Sequence, residues 1–447
     1  MSTQKIARFV SEISINHLPP EVIIQIKKAI RDILGVSIAA HHDQAVNAAR
    51  KMVATRGGAE ESSLIGVMKR LPCDMAAFVN SVMASTLDMD DGSMGLPSHL
   101  RVHRGHPGGI VIPAGLAVAE KVKATGAQLI EAVAVGYEVA MLTAWLTGET
   151  MLAGVNGTFG ATAASSKLLG LNVNQTIEAL NIASAHRPAP SYAFIWTRIG
   201  MTKESAAWAA MTGVTAALLA QNGFSGTPSF YDLEEHDKAP LEALGRDWEI
   251  MSLYFKPYSA CRHAHAPIDG VLEVMAENDL EAGDIAKVII GCASKKGLFM
   301  SNRRPTSIWQ AQYSIPFLIG AAIIEKEVGP QQVSEKRLED ASILRQADKV
   351  NLIADAEVDA LQPGNFAARV TIQTKAGRIY ETFIRYPRGE PENPLSDREL
   401  EEKFKKLSKG IISAERVKTL LECLENLDQQ DSLDLLIKQV ADFSPRT

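Results

Sequence analysis

The sequence predicts a mainly α fold, in which a large helical domain is interrupted by a smaller α+β domain. Apolar residues recur at helical spacing from the N-terminus to about residue 250. Strand-like alternation follows, and helical spacing returns after Ser396. Because 447 residues exceed one ordinary core, two domains are expected. We predict residues 1–254 as the first part of the helical domain, 255–388 as an α+β lid and 389–447 as C-terminal helices returning to the helical domain.

The helical domain begins with a run after Pro19-Pro20 in which Val22, Ile26 and Ile30 fall on one face, with Gly35 near its end. The segment GVNGTFG (154–160) lacks a preceding strand, so it indicates a tight helix start rather than a phosphate loop. Further helices are predicted over Ala- and Leu-rich segments, namely 72–87, 110–124, 126–147, 158–169, 174–185 and 203–222.

The α+β domain is predicted from two strand patterns. IAKVIIGC (285–292) is typical of a buried strand, and residues 366–386 alternate on either side of Lys375-Ala376-Gly377, which indicates a hairpin. Helices are expected between them, around 308–327 and 332–347. Ser396 and Glu399 then form an S-x-x-E capping box ahead of the last helices.

Composition and charge limit the classes of partner. Hydrophobic residues make up 46% and charged residues 22% of the chain, the net charge is −6, and Lys and Arg are dispersed, so no nucleic-acid partner is expected. The start is amphipathic rather than a signal peptide, and the apolar stretch 129–147 contains Glu131 and Glu138, so no membrane span is expected. The cysteines form no CxxC pair, which predicts a reduced, cytoplasmic protein: Cys73, Cys261, Cys292 and Cys423.

Acid–base residues concentrate in LDMDDGSMGLPSHLRVHRGHPGG (87–109), a loop rich in Gly and Pro. A helix would align His99, His103 and His106 for a metal, but Gly105 and Pro107 oppose a helix there. A calcium loop starting at Asp88 also fails, because its glycine and glutamate positions fall on Ser93 and His99. No metal site is therefore expected.

Nucleophilic catalysis is not indicated either. No G-x-S-x-G elbow is present, and Cys261 beside His263 and His265 is favoured as a packing residue. General acid–base chemistry is the remaining hypothesis. Its candidates lie at loops and domain junctions, where pockets form, although each has a structural alternative such as a solvated lysine or a core tyrosine: His106, Lys203, Lys256, His265 and Tyr313. Arg262 in the same region could hold a carboxylate bidentately.

Several segments, taken in order and spacing, resemble the MmgE/PrpD family over nearly the whole chain: DMDDG, HPGGIVIPAGLA, NGTFGATAASSKLLGL, MTKESAAWAA and FKPYSACRHAHAPID. The resemblance implies a helical domain with a smaller lid, a homodimer, and no metal or cofactor. Family members include 2-methylcitrate dehydratase, cis-aconitate decarboxylase and iminodisuccinate epimerase. They act on small di- or tricarboxylates at a carbon next to a carboxylate, so a small anionic carboxylate is the expected substrate.

The resemblance also implies the site. The expected catalytic residues are Asp88, His106, Lys203 and Tyr313. The resemblance places the second family lysine on Lys256, which is expected to bind substrate. Further expected substrate-binding residues come from the neighbouring segments themselves: Asp91, Arg262, His265, His99 and His103. Two positions depart from the family pattern: Met151 stands where a histidine is expected, and Gly92 where a threonine or similar polar residue is expected. The loop from Gly92 to Gly105 is also longer, so His99 or His103 could replace the missing histidine.

Mechanism separates the candidate reactions. Removing a proton next to a carboxylate leaves an enediolate-like anion, which cations such as Lys203 and Lys256 can stabilise. A dehydratase also needs an acid for the departing hydroxyl, whereas an epimerase needs only a base and a proton donor. Loss of one histidine therefore favours an epimerase similar to iminodisuccinate epimerase. The alternatives are a dehydratase of a 2-methylcitrate-like hydroxy acid and a non-catalytic ligand-binding protein.

Overall fold

The computed structural model describes residues 2–96, 101–148, 153–189, 199–233, 239–295 and 297–443. The fold is mainly α, as predicted, with short β-pairs and one larger sheet. The helices before residue 255 are α1 (Ser2–Glu12), α2 (Pro20–Ala39), α3 (Gln44–Ala54), α4 (Cys73–Ser85), α5 (Gly108–Val122), α6 (Gly126–Thr147), α7 (Ala153–Leu168), α8 (Val173–His186), α9 (Ala206–Gln221), α10 (Phe230–Leu233) and α11 (Ala239–Ala243).

Helix α2 shows how the apolar periodicity becomes packing. Proline occupies its first turn, where the missing N–H costs no helical hydrogen bond. Val22, Ile26 and Ile30 are fully or almost fully buried on one face. Helix α6 begins with a capping box in which Thr125 and Gln128 satisfy each other's backbone amides.

Among the described residues, α6 is the one helix long and apolar enough to cross a membrane by length and composition. Its most apolar window, however, is 83% buried inside the protein, as in the central helix of a globular core. Helices α5 and α7 pack against it. The position of α6 inside the protein therefore explains why this helix is long and apolar.

Residues 154–160 lie within the first turns of α7, so the GVNGTFG segment begins a helix, as its sequence indicated. Gly154 permits a close contact: a Cβ at this position would lie 2.4 Å from the backbone oxygen of Glu204. The Gly154 amide instead donates to that oxygen at 3.0 Å. The start of α7 is thereby joined to the turn that precedes α9.

Two short β-pairs lie in the helical part. Strand β1 (Ser62–Ser63) pairs with β2 (Arg70–Leu71), and β3 (Gly92–Ser93) pairs antiparallel with β4 (Leu253–Tyr254). The second pair fixes the aspartate-rich loop, because Gly92 stands opposite Tyr254. The segments on either side of the β3–β4 pair therefore meet in one region.

The larger sheet has the strand order β6-β5-β7-β8, formed by β5 (Ile285–Cys292), β6 (Val350–Ala354), β7 (Ala368–Thr374) and β8 (Ile379–Ile384). Strand β5 lies parallel to β6 and antiparallel to β7, with Val288 opposite Val350 and Ile372. The predicted β5 strand and the β7–β8 hairpin are present. The accompanying helices are α12 (His265–Glu277), α13 (Ile308–Gln312), α14 (Ile315–Glu325), α15 (Glu335–Leu338), α16 (Ala341–Ala347) and α17 (Ala356–Ala360).

Three further helices follow the sheet: α18 (Asp397–Ser408), α19 (Ala414–Glu425) and α20 (Asp434–Val440). The capping box of Ser396 and Glu399 starts α18 as predicted. Helices α18 and α19 pack against α2, and Leu400 and Phe404 join the same apolar core as Ile26 and Ile30. A second apolar core lies between the sheet and its helices and includes Ile268, Val288, Phe317 and Val370.

Candidate active site

Asp88 lies at the centre of a buried cluster of charges, in the loop between α4 and β3. Its Oδ2 accepts a hydrogen bond from Lys203 Nζ at 2.7 Å, and its Oδ1 accepts one from Lys256 Nζ at 2.5 Å. The Tyr313 hydroxyl also hydrogen-bonds to this carboxylate. Burial opposes the charged form, but the two lysines outweigh it and hold the pKa of Asp88 well below its usual range. Asp88 is therefore a carboxylate that joins three segments of the chain.

Lys203 reaches this cluster from the turn before α9. Besides Asp88, its ammonium donates to Gln312 Oε1 at 2.7 Å and lies 5.1 Å from the centre of the Tyr313 ring. An ammonium has three N–H groups, and within the described parts of the chain the third finds no acceptor. Lys203 can therefore donate to an anionic ligand without leaving Asp88.

Lys256 has no solvent-exposed surface and serves mainly as a fixed positive charge. Its Nζ lies 3.9 Å from Asp90 Oδ1 in addition to its contact with Asp88. Burial lowers the pKa of Lys256, but Asp88 and Asp90 outweigh that effect and raise it above the ordinary value. This lysine thus stays charged, which is what stabilisation of an enediolate-like anion requires.

His106 is held as a neutral imidazole, and within the described residues one of its ring nitrogens has no hydrogen-bond partner. Its Nδ1 lies 2.7 Å from the backbone oxygen of Asp91, and because a carbonyl can only accept, Nδ1 carries the hydrogen. Burial, with the nearby Lys256 charge, lowers the pKa of His106 well below its ordinary value. Its Nε2 is consequently an unprotonated base at neutral pH.

Asp91 fixes His106 rather than contacting the cavity. Its side chain accepts hydrogen bonds from the Tyr137 hydroxyl at 2.6 Å and from the Gly108 amide at 2.9 Å. Burial raises the pKa of Asp91 to about 7. The sequence indicated substrate binding for this residue, whereas these contacts make it a positioning residue for the histidine.

His103 lies behind His106, with ring centres 5.1 Å apart. Its Nδ1 accepts the Gly105 amide, so Nε2 carries the hydrogen and donates to Tyr254 Oη at 3.0 Å. This arrangement explains why glycine stands at position 92, where the family pattern has threonine or a similar polar residue. A Cβ on Gly92 would lie 2.3 Å from Tyr254 Oη. The glycine therefore leaves room for the tyrosine that holds His103.

Arg262 and His265 are placed away from the cavity. Arg262 Nη2 pairs with Glu390 Oε1 at 2.7 Å, and its guanidinium lies 4.4 Å from the centre of the Tyr254 ring. His265 accepts from Arg262 through Nδ1 and donates through Nε2 to the Ala260 carbonyl at 3.0 Å. Both side chains are buried in this network and do not line the cavity, so their described contacts support a structural role rather than direct substrate binding.

Two sequence-derived candidates, His99 and Met151, lie outside the described residues. The structure also brings to the site groups that the sequence did not indicate. Glu204 directly follows Lys203, Asp90 lies two residues after Asp88, and Gln312 precedes Tyr313. Proximity in sequence to a recognised residue was the one available signal, and it does not show which way a side chain points.

The cavity between these groups has a volume of about 20 Å³. That volume accommodates about one water molecule, so the lining groups face a common small space. Burial, reinforced by Asp88, raises the pKa of Asp90 to about 7. The described lining residues are Ser85, Asp88, Asp90, His106, Ala153, Lys203, Glu204, Ala206 and Tyr313.

This arrangement supplies a base, positive charges and a carboxyl with a raised pKa, Asp90, around one space. His106 provides the base, and Lys203 with Lys256 provides positive charge. Among the described residues, no three His, Cys, Asp or Glu side chains form a group that could hold a metal ion. The absence of a metal or cofactor stays a prediction, and the chemistry that the cavity residues support directly is proton transfer beside an anionic group.

Comparison with known proteins gives two family matches. Residues 4–236 match the model of the MmgE/PrpD N-terminal domain, and residues 258–429 match that of the MmgE/PrpD C-terminal domain. The chain is 26% identical to a cis-aconitate decarboxylase of Homo sapiens, over 99% of this chain and 95% of that protein. It is 24% identical to a cis-aconitate decarboxylase-like protein of Aspergillus oryzae, over 98% of this chain and 97% of that protein.

Proposed function

The chain belongs to the MmgE/PrpD family, and from this membership we propose that it is a lyase acting on a small tricarboxylate. The chain is an enzyme of the isomerase or lyase type, so the non-catalytic alternative is set aside. The relatives named above are decarboxylases by name, which favours a lyase over the epimerase that the sequence analysis preferred. The first candidate reaction is decarboxylation of cis-aconitate or a close analogue.

The observation that carries the proposal is the pair of lysines on Asp88 beside the unprotonated Nε2 of His106. A tricarboxylate brings several negative charges, and the third N–H of Lys203 offers one of them a charge-assisted hydrogen bond. Lys256 contributes positive charge without contact. The site therefore suits a substrate whose charge increases at the reacting carbon during the reaction.

In a decarboxylation, the bond between the reacting carbon and the leaving carboxylate breaks and carbon dioxide departs. The electron pair remains on the substrate, where conjugation with a second carboxylate converts it into an enediolate-like anion. Lys203 and Lys256 stabilise that anion, and a proton delivered to carbon completes the product. The balance is one proton consumed and one carbon dioxide released.

Dehydration of a hydroxy tricarboxylate is the second candidate, and the base on His106 favours it. Here Nε2 takes the proton from the carbon next to a carboxylate, and the hydroxyl leaves as water after it accepts a proton from an acid. The same lysines stabilise the intermediate charge. Both reactions therefore need the cations and a proton donor, and they differ in the group that leaves.

The test is incubation of the purified protein with cis-aconitate, 2-methylcitrate and a set of dicarboxylates in D2O, followed by NMR. Carbon dioxide release with one deuterium in the product supports the decarboxylase, and a new alkene without carbon dioxide supports the dehydratase. Deuterium next to a carboxylate with neither change would establish an epimerase instead. No change in any substrate, with the Lys203→Met protein as background control, would contradict the proposal.

Three further expectations from the sequence stay predictions: a homodimer, a cytoplasmic location, and no nucleic-acid or membrane partner. Light scattering of the purified protein checks the first, and cell fractionation checks the second. None of them enters the proposed chemistry. The small anionic carboxylate is the partner on which the proposal depends.

A further inference from the structure

Glu204 brings a carboxyl group to the cavity from a different segment than His106. It lies in the turn before α9, whereas His106 lies in the loop before α5. Its Oε2 accepts a hydrogen bond from the Ala153 amide at 3.1 Å, at the start of α7. Glu204 and His106 both line the cavity of about 20 Å³. One small ligand group can therefore contact both side chains.

The residues on either side of Glu204 have an uncommon backbone conformation. Lys203 and Ser205, on either side of it, have φ values of +46° and +64°, in the left-handed region that non-glycine residues rarely adopt. Such a conformation is strained and persists where the surroundings impose it. Here the hydrogen bond from the Gly154 amide to the Glu204 carbonyl helps impose it. The turn thus directs Lys203 and Glu204 to the same cavity.

Most other proton-bearing groups at the cavity are already hydrogen-bonded, and one N–H of Lys203 is the exception among the described residues. The Tyr313 hydroxyl hydrogen-bonds to Asp88, and two N–H groups of Lys203 are bound to Asp88 and Gln312. His106 donates its one hydrogen to the Asp91 carbonyl and offers a lone pair instead. The Lys203 ammonium serves as positive charge for the developing anion, so the proton is assigned to a carboxyl, and among the described lining residues Glu204 and Asp90 are the carboxyls besides Asp88.

We propose that Glu204 is the proton donor of the reaction. Its carboxyl O–H delivers a proton to the substrate carbon after carbon dioxide leaves, or to the departing hydroxyl in a dehydration. The new bond to hydrogen forms as the O–H bond breaks, Glu204 is left as a carboxylate, and solvent restores its proton after product release. This inference rests on the proposed lyase function.

The charges around Glu204 agree with this role. Burial raises its pKa to about 7, the Ala153 amide and Lys256 oppose the rise, and Asp88 and Asp90 add to it. The remaining ionisable groups that face the same cavity are His106, Lys203 and Tyr313. Close to neutral pH a fraction of Glu204 is therefore protonated. A bound tricarboxylate adds negative charge and favours the protonated form further.

The experiment compares Glu204→Gln with the wild type and with the matched control Glu178→Gln. Glu178 is also partly buried and also accepts a backbone amide, that of Gly226 at 2.8 Å, but it does not line the cavity. Glu204→Gln is expected to lower turnover by about a hundredfold or more, the usual scale for a positioned acid, with little change in KM. The wild-type rate is expected to decline above about pH 7, as Glu204 loses its proton. The residual rate of Glu204→Gln should not show this decline. Glu178→Gln should keep both wild-type properties.

A second measurement does not need turnover. Binding of tricarballylate, an unreactive tricarboxylate, is followed by calorimetry at pH 7 in buffers of different ionisation enthalpy. The wild type is expected to take up protons on binding, and Glu204→Gln is expected to take up fewer. The same measurement on Asp90→Asn shows whether Asp90 takes up the protons that Glu204→Gln still binds.

The outcomes separate this inference from the proposed function. Wild-type turnover in Glu204→Gln with an unchanged pH profile would overturn the role of Glu204 while leaving the lyase intact. If the wild type turns over no substrate, the proposed function fails. In that case the proton uptake on tricarballylate binding tests whether Glu204 takes up a proton beside a bound anion. Equal uptake by Glu204→Gln and the wild type would overturn this role of Glu204 as well.

Discussion

Lys203 Nζ and Asp88 Oδ2 lie 2.7 Å apart although 115 residues separate them in sequence. The ion pair joins the turn before α9 to the loop after α4, and Lys256 binds the other oxygen of the same carboxylate. All three side chains are less than one-tenth exposed. One buried carboxylate therefore stabilises two lysines on which the proposed chemistry depends.

Asp88→Asn is expected to lower both stability and activity. The substitution removes the carboxylate partner of Lys203 and leaves Lys256 with the more distant Asp90 at 3.9 Å, and removing one partner of a buried ion pair costs about 3–5 kcal/mol. Urea unfolding at pH 7 measures the loss. Asp90→Asn is the matched control, because burial and the nearby Asp88 raise the pKa of Asp90 to about 7, so that a neutral side chain costs less there. Equal destabilisation by both substitutions would contradict the central role of Asp88.

In the dehydration, where Nε2 is the base, His106→Ala is expected to lower turnover by about a hundredfold or more, the scale for loss of a positioned base. Folding should survive, because His106 is partly exposed at the cavity rather than in the apolar core. Turnover and the unfolding midpoint are measured together. His103→Ala, unlike His106→Ala, should lower the unfolding midpoint, since it removes the hydrogen bond to Tyr254. Near-normal turnover in His106→Ala would rule out the histidine as the base.

Lys203→Ala is also expected to reduce turnover by about a hundredfold or more, because it removes a donor to the developing anion. Its effect on stability should be smaller than that of Asp88→Asn, since Asp88 retains Lys256 and Tyr313. Denaturant unfolding of the two variants side by side gives the comparison. A larger loss of stability in Lys203→Ala would indicate a mainly structural lysine.

Glu390→Gln is expected to disturb the junction between the loop and the sheet domain. Glu390 is almost fully buried and pairs with Arg262 through Oε1 and with Arg101 through Oε2. Loss of its charge leaves Arg262 buried and unpaired, which costs about 3–5 kcal/mol. Glu392→Gln is the control, because Glu392 is partly exposed and pairs with Arg101 alone, so about 0–1 kcal/mol is expected. Similar unfolding midpoints for both variants would contradict this assignment.

Stability should fall as the pH drops below about 6.5, partly through His265. Burial and the Arg262 charge lower the pKa of His265 well below its ordinary value, so the unfolded chain takes up the proton first. The contribution of His265 to the free energy of unfolding is therefore complete above the pKa of the unfolded chain. It is lost as the pH falls towards the lower pKa of the folded protein, at about 1.4 kcal/mol per pH unit for one proton. Denaturation between pH 5 and 7 measures this slope, and His265→Gln should reduce it. An unchanged slope in the variant would exclude His265 as a contributor.

The sequence by itself determined the local elements and the family. Periodicity of apolar residues gave α2, α6 and the C-terminal helices, alternation gave β5 and the β7–β8 hairpin, and the capping residues Ser396 and Glu399 marked the start of α18. These features depend on neighbours within a few residues, which is why pattern and spacing predict them. The motifs around Asp88, His106 and Lys203 identified the family for the same reason.

Only the tertiary structure decided which side chains meet. Arg262, expected to bind substrate, pairs with Glu390, 128 residues further along the chain, and His103 donates to Tyr254, 151 residues away. Glu204 carried no signal beyond its position after Lys203, and its side chain faces the cavity because a left-handed turn and the start of α7 direct it there. Such contacts arise from packing between distant segments. Local periodicity holds no information on which of several available partners a buried charge will find.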